Sequence, residues 1–108
     1  MDTIKLPTLG YFKNGNGYLG SAGLLRFQIE KPQEGRARVV LWQGPFSRPY
    51  AQEFGQESFD IDEPGLAALT DYLTRQAESV NENPPYTQAQ TTAFYQEKKA
   101  QEKAAKEA

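Results

Sequence analysis

The chain has 108 residues with 12 basic and 14 acidic side chains, a net charge of −2, and a length of this order permits one domain with its own core. It contains no cysteine and no histidine, which excludes disulfides, thiolate metal sites, cysteine nucleophiles and the usual general base at neutral pH. Its apolar runs are too short to span a bilayer, and the first twenty residues lack a basic start followed by an apolar stretch, so a cytoplasmic protein is expected.

The small net charge hides an asymmetry. Residues 1–50 carry seven basic and three acidic side chains, whereas residues 51–85 carry one basic and eight acidic. Residues 86–108 are nearly balanced, with four basic and three acidic. An acidic segment of this kind repels phosphate and favours a basic partner.

Ile4 to Phe12 reads as a first strand, and Pro7, which lacks an amide donor, places it at a sheet edge. Asn14-Gly15-Asn16-Gly17 predicts a hairpin turn, because two Asn-Gly steps lie between aromatic residues. Tyr18 to Gly23 is glycine-rich and reads either as a loop or as a bulged strand start. Leu24 to Glu30 alternates: Leu25, Phe27 and Ile29 share one face, and Arg26, Gln28 and Glu30 the other. Lys31 to Gly35 is a hairpin-length connection. Arg36 to Gln43 has Val39 and Leu41 on one face and Val40 and Trp42 on the opposite one, the pattern of a central strand covered on both sides or of one with a functional outer face. Gly44 to Tyr50 predicts a long loop, followed by a brief extended stretch to Phe54.

Ser58 to Asp62 forms a further strand feeding through Glu63-Pro64-Gly65 into a helix. Leu66, Leu69, Leu73, Ala77 and Val80 recur at three- and four-residue steps and define one helix face. Asp62 or Glu63 suits the cap, Pro64 suits the first turn, and Asn81 followed by Asn83-Pro84-Pro85 stops the helix. Thr87 to Ala108 is rich in Ala, Gln, Glu and Lys and predicts a second helix, anchored by Phe94 and Tyr95. The expected fold is α+β: an antiparallel sheet of about four strands with an amphipathic helix packed on one face and a polar C-terminal helix. Residues 1–83 form the core domain, and residues 84–108 the polar helix or tail.

Three motifs have bland explanations. Gly15-Asn16-Gly17-Tyr18-Leu19-Gly20 matches G-x-G-x-x-G, but no helical period follows it. Asp60, Asp62, Gly65 and Asp71 partly echo a calcium loop, yet Pro64 occupies a ligand position and helix capping accounts for the acids. The serines have no histidine to activate them, and eight acids on one segment read as a solvated face. The expectation is therefore a protein that is not an enzyme, with no catalytic residue, metal site or cofactor.

The remaining candidate is the sheet's outer face. Arg26, Arg38 and Trp42 are expected on it, with Phe46, Arg48 and Tyr50 in the adjoining loop. Aromatic and arginine side chains on a sheet form a stacking platform for unpaired bases, while an apolar face with an arginine rim equally suits a protein partner. Alternatively, Trp42 and Val40 lie under the C-terminal helix.

The order of four strands then a helix, with Trp42 on a central strand and the helix entered through Phe59 to Leu66, resembles the coactivator/Whirly group of single-stranded DNA-binding proteins over residues 1–80. Lys5 to Lys13 followed by Ser21-Ala22-Gly23 resembles small uncharacterised proteins of bacterial mobile elements, which implies an accessory or inhibitor-type role. The expected partner is another protein or a second copy of the chain, with single-stranded nucleic acid as the alternative and no membrane association.

Overall fold

The computed structural model describes residues 4–107. The elements run α1 (Leu9–Lys13), β1 (Tyr18–Ala22), β2 (Leu25–Ile29), β3 (Arg36–Gln43), β4 (Glu53–Asp60), α2 (Glu63–Glu82) and α3 (Gln88–Glu107), with one turn of 3-10 helix at Arg48–Tyr50. The four strands form one antiparallel meander in the order β1-β2-β3-β4. The fold is α+β, with α2 across one face of the sheet.

Strand β2 keeps the alternation read from its sequence: Leu25, Phe27 and Ile29 are buried and face α2. Ala37, Val39 and Leu41 of β3 continue this inner face, and Leu69, Leu73, Ala77 and Val80 of α2 close it. Asp62 caps α2, its carboxylate accepting from the Gly65 amide at 2.7 Å, with Pro64 in the first turn. Gly65 is required there, since a Cβ would stand 1.9 Å from the Asp60 carbonyl oxygen. The far end of α2 is fastened by Asn81, whose side-chain oxygen accepts from the Leu24 amide at 2.9 Å. Its NH2 donates to the Ala22 and Ala77 carbonyls at 3.0 and 2.7 Å. One polar side chain thus ties the helix to the β1–β2 turn.

The N-terminal segment departs from its predicted strand. Thr8 caps the short helix α1 through its hydroxyl, which accepts from the Tyr11 amide at 3.3 Å. Leu9 and Phe12, three residues apart, then share a helical face, and Phe12 is fully buried in the core. Asn14 to Gly17 consequently joins a helix to β1 rather than two strands of a hairpin, with Asn14 as the C-cap of α1. The first strand is instead the glycine-rich stretch Tyr18–Ala22. Strand β4 starts earlier than the sequence indicates, at Glu53, and carries a register shift at Phe54 opposite Leu41/Trp42, and Ile61 and Asp62 lie beyond its end.

Thr87 and Gln90 form a reciprocal capping box at the start of α3, each side chain bonding the other's amide (3.1 and 2.8 Å). Half-buried positions on α3 are 91, 92, 94, 95, 98 and 102, one face of the helix. That face rests on the 3-10 turn rather than on the sheet. The radius of gyration of 15.3 Å exceeds the roughly 13 Å of a compact chain near this length, as expected of a 20-residue helix that touches the body along only part of its length.

Leu69→Ala and Leu73→Ala should each destabilise the protein by about 2–5 kcal/mol in chemical denaturation, because each removes a fully buried side chain from the sheet–helix seam. A loss below about 1 kcal/mol in both would contradict this core.

Candidate functional site

Two surfaces compete for a functional role: the outer face of the sheet and the exposed side of α2. On the outer face, Val40 and Trp42 project from β3 away from α2, and both are buried, Trp42 at 2% exposure. Their cover is the loop between β3 and β4. Trp42 Nε1 donates to the Phe46 carbonyl at 2.9 Å, and Pro45, Phe46, Ser47, Arg48 and Pro49 arch over the sheet. Gly44 lets the chain pass over Arg26; a Cβ there would lie 2.7 Å from the Arg26 guanidinium carbon. A shallow groove of about 360 Å³ remains between this loop and Leu19.

The loop is held by Arg48. Its Nη1 donates to Gln28 Oε1 and Glu30 Oε2 on or beside β2, and its Nε donates to Glu53 Oε2 on β4, all at 2.9 Å. Arg38 completes the network, gripping both oxygens of Glu30 at 2.8 Å and reaching Gln56 at 3.2 Å. Two guanidinium groups therefore converge on one carboxylate. The Arg38 hydrogen bonds, helped by those of Arg48 and opposed by burial, hold the Glu30 carboxyl down from 4.5 to about 2. The same hydrogen bonds, to Glu30 from Arg38 and to Glu53 and Glu30 from Arg48, raise both guanidinium groups further above their ordinary value.

The other aromatic residues expected at this site serve to dock α3. Phe46 stacks on Tyr95 with ring centroids 4.1 Å apart, and Tyr50 meets Tyr95 edge-on at 5.6 Å. The Tyr50 hydroxyl donates to Glu102 at 2.6 Å, and Lys99 lies 4.3 Å over the Tyr50 ring. That bond, with one from Lys106, keeps the Glu102 carboxyl below its ordinary range. Gln43 and Tyr86 exchange side-chain and backbone bonds at 3.0 Å, fixing the α2–α3 connection to the end of β3.

The six residues singled out from sequence thus fall into two groups. Arg26, Trp42 and Arg48 line the outer-face groove and Arg38 meets Arg48 at Glu30, while Tyr50 packs against α3 and Phe46 both lines the groove and stacks on Tyr95 of α3. Of the two positions open to Trp42, exposed on the outer face or covered, the structure shows the covered one, because the loop closes over it and its indole N–H is used. The roof is the loop itself rather than the C-terminal helix, and α3 braces that loop.

The second surface was not legible from spacing. Leu9 of α1 lies beside Leu66, Ala67, Thr70 and Thr74 of α2, forming an open groove of about 590 Å³ rimmed by Glu63 and Asp71. The Thr70 and Thr74 hydroxyls bond back to the Leu66 and Thr70 carbonyls at 2.9 and 2.8 Å, which leaves the groove floor without free side-chain donors. Asp71 is bridged to Arg75 at 3.0 Å, an exposed pair of small energetic weight. Glu57, Glu63, Glu78 and Glu82 are exposed and join no ion pair among the described residues.

No group of acidic residues able to hold a metal ion occurs among the described residues, and no described helix is long and apolar enough to cross a membrane. No known protein family, curated protein or solved structure matches the chain.

Because the folded protein holds Glu30 ionised to lower pH than the unfolded chain does, the Glu30 contribution is complete above about 4.5 and is lost as pH falls toward about 2. Glu30→Gln should flatten the fall in stability across that window in pH-dependent denaturation. An unchanged acid limb would contradict the carboxylate's place at the centre of the network.

Proposed function

We propose that this chain is a small non-enzymatic protein-binding module whose contact surface is the acidic face of α2 with the groove beside α1. The observation that carries this reading is the segregation of charge. Arg38 and Arg48 on the outer sheet face are engaged by Glu30 and Glu53, and Arg26 donates to the Gly23 and Leu25 carbonyls, whereas the carboxylates around α2 stand largely unneutralised. A basic amphipathic segment of another protein fits that surface, its apolar side chains in the groove and its cations against Glu63 and its neighbours. Such a surface suits an accessory or inhibitor-type protein.

Single-stranded nucleic acid receives less support. A phosphate on the outer face would compete with a bidentate carboxylate for Arg38 and with two carboxylates for Arg48. A base would need the loop to lift before reaching Trp42.

Titration of the labelled protein with a lysine-rich amphipathic peptide should produce saturable amide shifts at Leu66, Ala67, Thr70 and Thr74, weakening with salt. Combining Glu63→Lys with Thr70→Arg should lower affinity about tenfold or more. An oligothymidylate should leave Arg38 and Trp42 unmoved. Salt-sensitive shifts at Arg26, Arg38 and Trp42 with the oligonucleotide, and none with the peptide, would overturn the proposal.

A further inference from the structure

The two edges of the sheet differ in kind. Strand β4 ends the sheet with Glu53, Gln56, Glu57, Ser58 and Asp60, the charged and polar character that keeps an edge from pairing. Strand β1, at the other edge, has no charged residue between Tyr18 and Ala22, and Leu19 is 66% exposed, the more exposed of the two large apolar side chains that are exposed among the described residues.

The hydrogen-bond phase fixes which groups of β1 face outward. The Glu30 amide donates to the Arg38 carbonyl and the Gly44 amide to the Leu24 carbonyl, both at 2.8 Å. Even-numbered positions of β2 therefore bond toward β3 and odd-numbered ones toward β1. Leu25, Phe27 and Ile29 pair with Ala22, Gly20 and Tyr18, which leaves the backbone groups of Leu19 and Ser21 directed away from the sheet. No hydrogen bond to these two residues from outside the β1–β2 pair is present among the described residues.

We propose that β1 is an association edge, pairing antiparallel with β1 of a second copy of this chain about a two-fold axis at Gly20. That register sets Leu19 opposite the second copy's Ser21 and the reverse, so the outward donors and acceptors of both residues are satisfied in four backbone hydrogen bonds. Self-complementarity selects a second copy as the occupant, because about the Gly20 axis each outward donor of the strand meets the same strand's outward acceptor. The strand is neutral and does not repel itself, while the acidic β4 edge would. The nearest outer-face cation is Arg26, opposite Ser21 on β2. In the pair the two Arg26 residues stand three strand spacings apart, roughly 14 Å, beyond the screening length of about 8 Å at physiological salt. The result is a continuous eight-stranded sheet with the acidic edge at each end.

Sedimentation velocity over a concentration series tests this directly. The wild-type chain should shift from monomer to dimer, and the Leu19 and Ser21 amides should become protected from exchange as it does. Ser21→Pro removes an outward N–H without touching the β1–β2 ladder, and Leu19→Lys places a cation in the self-paired strand. Both should sediment as monomers, while Glu57→Lys on the opposite edge should still dimerise. Circular dichroism checks folding of the proline variant, and the lysine variant alters only an exposed side chain. A wild-type monomer at every concentration overturns the proposal and leaves the edge to an extended strand of another protein. Dimerisation of both β1 variants as strong as wild type overturns it as well.

Discussion

Strand β3 is apolar on both faces, so the sheet is stable only if it is covered twice. Helix α2 supplies one cover through Leu69, Leu73, Ala77 and Val80. The other is a loop with little secondary structure, and a loop must be pinned to exclude water. Arg48 does this by spanning β2 and β4 across Val40, with hydrogen bonds to Gln28, Glu30 and Glu53. Burying Val40 and Trp42 is worth roughly 1.5–3 kcal/mol or more for each side chain. Charge-assisted bonds of about twice ordinary strength hold the loop where that burial is realised. The outer face is therefore a second, smaller core beneath a polar clasp.

This closure redistributes what the molecule can recognise. Aromatic and arginine side chains that sequence places on an open platform are consumed in holding the loop and in seating α3, through Phe46, Tyr50 and Tyr95. Helix α3 is thereby a brace for the loop rather than a layer over the sheet. What stays free is the acidic side of α2 with its neutral groove and, along the margin of the sheet, the uncharged edge of β1. The two lie on different elements, so a protein partner and a second copy need not exclude one another.

The elements legible in sequence are those with an uninterrupted period. Strand β2 and helix α2 could be read from alternation and from the Leu66-to-Val80 face, and the cap at Asp62 from its chemistry. The two-faced character of β3 was equally plain, but which segment covers Trp42 depends on Arg48 finding Glu30 and Gln28 about twenty residues earlier, and no local pattern encodes that. The N-terminal segment misled because Pro7 and scattered apolar residues suit an edge strand, while the deciding feature was Thr8 capping a helix too short to show a period. The Asn-Gly pair then read as a hairpin, although only one of its neighbours is a strand. The groove at α2 was hidden for a related reason, since Leu9 and Thr70 meet only through tertiary packing. The capping box of Thr87 and Gln90 was available in the sequence and fixes where α3 begins.

The clasp over the outer face is most directly measured through Trp42, the single tryptophan of the chain. Iodide quenching of its fluorescence should be weak in the wild-type protein and should rise several-fold in Arg48→Met, which keeps a long side chain but removes every hydrogen bond of the guanidinium. Quenching of the wild-type protein as efficient as that of free tryptophan, or unchanged on removing the guanidinium, would contradict a sheet closed on its outer side by Arg48.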